Sequence, residues 1–142
     1  MTFANPPDSE IAALLKSART IALIGASANP ARDSHEVMAF LQRKGHRVIP
    51  VNPGLAGQTL LGETVYATLA DLQEKVDMVD VFRASEYVAG IVEEAIAEGI
   101  PAVWTQLGVI DEAAAAKAVA AGLKVVMNRC PKIEYRKPAL AG

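Results

Sequence analysis

Along this chain, short runs that are apolar throughout alternate with longer stretches whose apolar residues recur every three or four positions. The first kind is the signature of a strand buried on both faces, the second that of an amphipathic helix. Ile11, Leu14, Leu15 and Ala18 share one helical face, with Asp8 and Ser9 placed to cap it. Thr20–Ile24 is the first buried run and stops at Gly25. Asp33 followed by Glu36 resembles a capping box, Val37, Phe40 and Leu41 give the next helix its stripe, and Gly45 ends it. Arg47–Val51 reads as the second strand, closed by Asn52-Pro53-Gly54. A long loop with glycines at 54, 57 and 62 follows, and Thr68 opens a brief helix carrying Leu69, Leu72 and Val76. Asp77–Phe82 is the third strand. Ser85 is placed to cap a helix in which Val88, Ile91, Val92, Ala95 and Ile96 fall at helical spacing, with Gly99 at its end. Ala102–Thr105 is the fourth strand, Asp111 caps an Ala-rich helix, and Lys124–Met127 is the fifth. The tail from Pro131 is expected to pack partly on the body.

Strands alternating with helices imply βαβ units, hence a parallel sheet with right-handed crossovers. The expected fold is α/β: a Rossmann-like three-layer α/β/α sandwich with a five-stranded parallel sheet, one domain over residues 1–142 with its core at about 10–136. In such a sheet every strand ends on the same edge, and ligands bind there, near the point where strand order reverses. The candidates are therefore Gly25 to Ser27, Asn52 and Pro53, Phe82 and Arg83, Thr105 and Gln106, and Asn128 to Cys130.

Composition agrees with a layered fold: 51% of the residues are apolar and only 5% aromatic. A net charge of −2 with no Lys/Arg run points away from nucleic acid and from anionic membranes. Cys130 is the one cysteine, so there is no internal disulfide. Met1–Pro7 lacks a basic and apolar leader pattern, and no apolar stretch approaches the roughly 20 residues that span a bilayer. The expected compartment is the cytoplasm.

The first turn, Gly25-Ala26-Ser27-Ala28-Asn29-Pro30, leads through Arg32 and Asp33 into a helix. Small residues let a ligand approach the backbone, and free N–H groups with the positive helix end attract phosphate. Ser27 adds a hydroxyl, and Arg32 and His35 add charge. The competing reading is that small residues only allow tight strand–helix packing. The turn lacks the full dinucleotide fingerprint, because the second glycine position holds Ser27 and position 30 is proline. The second strand ends in Asn52 and Pro53 rather than in an acid for the ribose hydroxyls, which disfavours NAD. Arg83 suits a phosphate or carboxylate, or else a surface ion pair; Arg129 and Lys132 share that ambiguity, with the ion pair favoured. Gln106 could bond a ligand amide, and Trp104 reads as core.

Catalytic patterns are missing. A nucleophile elbow would need glycine at Asn29, and both histidines, His35 and His46, come early in the chain. His46 precedes the second strand and so belongs to the opposite edge. There is no metal-ligand spacing and no Gly-Lys-Ser/Thr of a P-loop. Cys130, in an apolar context, reads as inert more readily than as reactive.

Gly25-Ala26-Ser27, Ile49-Pro50-Val51-Asn52-Pro53, Phe82-Arg83, Val103-Trp104-Thr105-Gln106-Leu107-Gly108 and Asn128-Arg129-Cys130-Pro131 together resemble the small single-domain CoA-binding proteins, over roughly residues 10 to 136. That family is similar in fold to the CoA-binding domain of the succinyl-CoA synthetase alpha subunit. The resemblance implies coenzyme A, or an acyl-CoA, with phosphates over Ser27 and the following helix, the nucleotide beside Asn52 and Pro53, and the cleft lined near Phe82 and Arg83. Leu55 stands where the synthetase has a lysine after its Pro-Gly turn. The synthetase's second domain, with its phosphorylated histidine, has no counterpart in these residues, so ligase activity is not implied. The expected site is Gly25, Ala26, Ser27, Arg32, His35, Asn52, Pro53, Phe82, Arg83 and Gln106, with no catalytic residue and no metal. The expected role is a non-catalytic binding or regulatory module. Two alternatives stay open: a small NAD(P)-binding redox enzyme or sensor, with Arg32 or Arg83 on a 2′-phosphate, and a scaffold with a vestigial cleft, acting through a homodimer or another protein partner.

Overall fold

The computed structural model describes residues 3–141; Met1 and Thr2, the start of the segment read above for a leader, and Gly142 lie outside the described residues. Five parallel strands form the sheet: β1 (Thr20–Ile24), β2 (Arg47–Val51), β5 (Met78–Val81), β6 (Ala102–Thr105) and β7 (Lys124–Val126). Their order is β2-β1-β5-β6-β7. Between β2 and β5 lies an antiparallel pair, β3 (Thr59–Leu60) and β4 (Glu63–Thr64). The helices are α1 (Asp8–Ser17), α2 (Asp33–Arg43), α3 (Val88–Ala97), α4 (Glu112–Ala120), α5 (Pro131–Tyr135) and α6 (Pro138–Ala141).

The strands are apolar throughout because both sheet faces are covered. Ile21 and Leu23 pack with Ile11, Leu15, Met38 and Leu41 from α1 and α2. Ala22 and Ile24, one residue out of phase, pack with Val88, Val92, Ala115 and Ala118 from α3 and α4. This is the Rossmann-like three-layer arrangement expected from the alternating pattern. Register is set at the strand starts: one Asp77 carboxylate oxygen accepts from the N–H groups of Arg19 and Thr20, each at 3.0 Å. The far edge is closed differently. The Asn5 side chain accepts from the Met127 N–H and donates to its carbonyl, both at 2.8 Å, covering the end of β7 as a strand would.

Several local expectations change. The N-cap of α1 is Pro7, so Asp8 and Ser9 lie inside the first turn and make no side-chain cap. The N-cap of α2 is Arg32, so Asp33 and Glu36 do not form a capping box, and Glu36 pairs with Lys132 instead. The brief helix after Thr68 is a single 3-10 turn, Leu69–Asp71, in which Asp71 accepts from the Thr68 N–H and hydroxyl at 3.1 and 3.0 Å. Leu72 and Val76 fall beyond it. Ser85 opens a 3-10 turn, Ser85–Tyr87, and α3 begins only at Val88; the Ser85 hydroxyl accepts from the Ile110 N–H at 2.8 Å and is not free to cap. Asp111 does cap α4, accepting from the Ala114 N–H at 3.0 Å. Asp111→Ala is expected to cost about 1 kcal/mol of unfolding free energy in urea denaturation, the usual worth of such a cap. The tail packs as expected: Pro131 and Glu134 of α5 are buried.

Candidate functional site

The strand order reverses between β1 and β5. From β1 the chain crosses to β2 on one side, and β5, β6 and β7 follow on the other. The C-terminal ends of β1 and β5 therefore flank a crevice, and a cleft of about 1360 Å³ opens there. Gly25 sits at its floor with φ +91°, and a Cβ on it would lie 2.5 Å from the Phe82 carbonyl oxygen and 3.3 Å from the Arg83 Cδ. Only glycine lets β1 turn this close to β5.

Above Gly25 the turn is self-braced. The Ser27 hydroxyl accepts from the Asn29 N–H at 3.1 Å, and the Asn29 side chain accepts from the Ala31 N–H at 3.0 Å. Ser27 is thus committed as an acceptor but keeps its O–H to donate. The N–H groups of Ser27, Ala28, Asp33 and Ser34 have no hydrogen-bond partner among the described residues; the last two are the first N–H groups of α2. All four residues line the cleft. Arg32 and Arg83 line it too, and neither forms an ion pair among the described residues. The Arg83 guanidinium lies over Tyr87, its carbon 4.1 Å from the ring centre. Free donors, a helix N-terminus and two uncommitted cations meet on one wall, which is the chemistry of an anion site.

Two wings extend from this wall. One runs over the end of β2. There Asn52 donates to the Ala26 carbonyl and accepts from the Gly54 N–H, both at 2.8 Å, tying the Pro53–Leu55 3-10 turn to the β1 turn. The other runs over β5 and β6, past Phe82 to Gln106. Gln106 is 7% exposed, and its Oε1 is buried with no partner among the described residues. A cleft-lining amide left so is costly unless something donates to it.

Of the ten expected site residues, the structure brings nine onto this cleft: Gly25, Ala26, Ser27, Arg32, Asn52, Pro53, Phe82, Arg83 and Gln106. His35 is not among its lining residues. With α2 starting at Asp33, His35 falls about 100° round the helix from Ser34. Thr68 and Tyr87 line the cleft and were not foreseen, since both stand on short 3-10 turns and not at strand ends.

Other candidates lie elsewhere. Trp104 is core, its Nε1 donating to the Arg129 carbonyl at 2.9 Å. Cys130 is buried in the same cluster and does not line the cleft. Lys132 pairs with Glu36 and holds that carboxyl below its ordinary range. Arg129 is off the cleft too, and its Nε is buried without a partner among the described residues. His46 sits at the opposite edge, between the Ala18 carbonyl and the Tyr135 hydroxyl at 2.5 Å each, and burial pushes its pKa down. Among the described residues, no group of three His, Cys, Asp or Glu could hold a metal ion, and no helix is long and apolar enough to cross a membrane.

Comparison with known proteins gives this geometry a family. The sequence profile described as "CoA binding domain" matches residues 19–136. The Bacillus subtilis protein named "Uncharacterized protein YneT" is 34% identical over 131 residues, covering 92% of this chain and 96% of that one. A Thermus thermophilus structure, "cell-free ID.343", is 38% identical with TM-score 0.87, covering 92% of this chain and 98% of the other. A "hypothetical protein from Pyrococcus horikoshii OT3" is 36% identical with TM-score 0.88 and full coverage of both chains.

Proposed function

This chain belongs to the CoA binding domain family, and we propose from that premise that its cleft holds coenzyme A or an acyl-CoA, as a non-catalytic binding or regulatory module. The observation that carries the reading is the anion wall: four N–H groups without a hydrogen-bond partner and two arginines without an ion pair among the described residues, at the point where strand order reverses. Coenzyme A fits it by chemistry. It carries a diphosphate and a third phosphate for the N–H groups, Arg32 and Arg83, a nucleoside for the wing at Asn52 and Pro53, and an arm with two amides for the wing at Gln106. Asn52 does not stand in for the acid of a nicotinamide site, since both ends of its side chain are bonded within the protein. The proposed site is the set brought together on the cleft, without His35. As a cytoplasmic module it would report or hand on a thioester rather than transform it.

Calorimetric titration of the ligand-stripped protein tests this. Coenzyme A is expected to bind, and NAD to bind far more weakly. Arg83→Glu, which places a carboxylate against the phosphates, is expected to weaken CoA binding at least about tenfold, the loss of one charge-assisted contact. Ser27→Trp fills the turn and is expected to abolish it. Unchanged affinity in both variants, with the fold intact by circular dichroism, would put the ligand elsewhere.

A further inference from the structure

Among the described residues, five large apolar side chains are well exposed, and three of them stand on the two segments that the Ser85–Ile110 hydrogen bond ties together: Tyr87 (46%), Leu107 (51%) and Ile110 (46%). Tyr87 and Leu107 line the cleft itself. Ile110 is drawn beside them by the hydrogen bond from its N–H to the Ser85 hydroxyl, two residues before Tyr87. The segment carrying Leu107 and Ile110 is pinned from three sides. Its Gly108 N–H donates to the Asn128 side chain at 2.7 Å, the Thr105 hydroxyl donates to the Val109 carbonyl at 2.7 Å, and the Ser85 hydroxyl takes the Ile110 N–H at 2.8 Å. A loop held this firmly presents its apolar side chains to water by construction, and a rigid apolar rim continuous with a cleft marks something bound across it.

The position of the rim says what. It lies at the outer end of the wing that runs over β5 and β6, past the unpartnered Gln106 amide. An amide with free bonding capacity suits the amide-bearing arm of coenzyme A, and the thioester end of that arm then leaves across Tyr87, Leu107 and Ile110. Charge narrows the choice further. Glu86, next to Tyr87, and Glu94 line the same cleft, and both oppose a carboxylated acyl group. Against these two carboxylates stands one positive charge, the Arg83 guanidinium, whose carbon lies 4.1 Å from the Tyr87 ring centre.

Resting on the CoA reading, we infer that the ligand is an acyl-CoA with an uncharged, apolar acyl group, and that Leu107 and Ile110 set this preference. A fully buried methylene is worth roughly fourfold in affinity, and a rim half open to solvent gives about half that in free energy, roughly twofold per methylene.

The experiment is a calorimetric series on the full chain with CoA, acetyl-, butyryl-, octanoyl- and succinyl-CoA, repeated with Ile110→Asp. Affinity is expected to rise along the aliphatic series, by on the order of tens of fold from acetyl to octanoyl at about twofold per methylene. Succinyl-CoA is expected to bind more weakly than butyryl-CoA. Ile110→Asp is expected to flatten the series and to leave free CoA as in the wild type. A flat wild-type series, a preference for succinyl-CoA over butyryl-CoA, or an unchanged series in Ile110→Asp would each overturn the inference while CoA binding stands. Failure of CoA and every thioester to bind would instead overturn the reading beneath it.

Discussion

Gly25→Ala is expected to lose about 3–4 kcal/mol of folding free energy and all ligand binding, the largest effect of any Gly→Ala exchange among the described residues. The left-handed backbone at φ +91° costs an alanine about 1–2 kcal/mol by itself. The new Cβ then meets the Phe82 carbonyl oxygen at 2.5 Å, a main-chain atom that cannot rotate away. That carbonyl belongs to the residue whose N–H donates to the Ile24 carbonyl at 2.8 Å, the last rung between β1 and β5. Relieving the clash means opening that rung and with it the floor of the cleft. Gly122→Ala is the control: its φ is +94°, but no atom lies within 4 Å of the added Cβ, so only the backbone cost of about 1–2 kcal/mol is expected. Denaturant unfolding of both variants separates steric closure at the switch point from backbone strain alone. Equal losses in the two would deny Gly25 its special place.

Asp80 carries the second large effect. It stands in β5 with Leu23 and Trp104 as its register neighbours, is fully buried, and neither carboxylate oxygen has a partner among the described residues. Burial pushes its pKa up to about 8, so at neutral pH the folded protein holds it protonated. The sign follows. Below about pH 4 both folded and unfolded chains carry the proton. From there to about pH 8 the unfolded chain has released it and the folded chain has not, so stability falls as pH rises. At about 1.4 kcal/mol per pH unit over roughly four units, the loss is on the order of 5 kcal/mol. Asp80→Asn removes it. The variant is expected to match the wild type near pH 4 and to exceed it by several kcal/mol at pH 8. His46 acts in the opposite sense: its folded pKa is depressed, so its contribution grows as pH rises through its ordinary range. Only the difference between wild type and Asp80→Asn isolates the carboxyl. Parallel pH profiles for the two would mean that Asp80 ionises in the folded protein as it does in water.

What could be read from the residues, and what could not, divides along local and tertiary lines. The five strands were legible because a parallel strand covered on both faces leaves an unbroken apolar run, as in Thr20–Ile24. The edge that carries the cleft followed from the alternation of strands and helices alone. The β3–β4 hairpin was not legible. Its turn uses Leu61 at φ +48° before Gly62, without the Asn-Gly or Asp-Gly pair that announces such turns. The caps expected from Asp8 and Asp33 fail because Pro7 and Arg32 already take the extended backbone that precedes each helix. In the sequence Asn52 reads as a ligand residue, and nothing local signals that the Ala26 carbonyl, 26 residues earlier, claims its amide. Asp80 shows the limit most clearly. Within Met78-Val79-Asp80-Val81 it looks like one polar residue tolerated in a strand, and only three-dimensional packing shows that no donor reaches it. The rim at Tyr87, Leu107 and Ile110 likewise exists only after two loops are laid side by side.

The most direct measurement is a titration of the 15N-labelled protein with coenzyme A, followed by amide chemical shifts. The Ser27, Ala28, Asp33 and Ser34 amides, without a partner among the described residues, should move first and furthest, with Gln106 following in its side-chain amide signals. Shifts confined to the groove between Phe3 and Val126 beside β7, or no shifts at all with a folded spectrum, would contradict a phosphate site at the turn after β1.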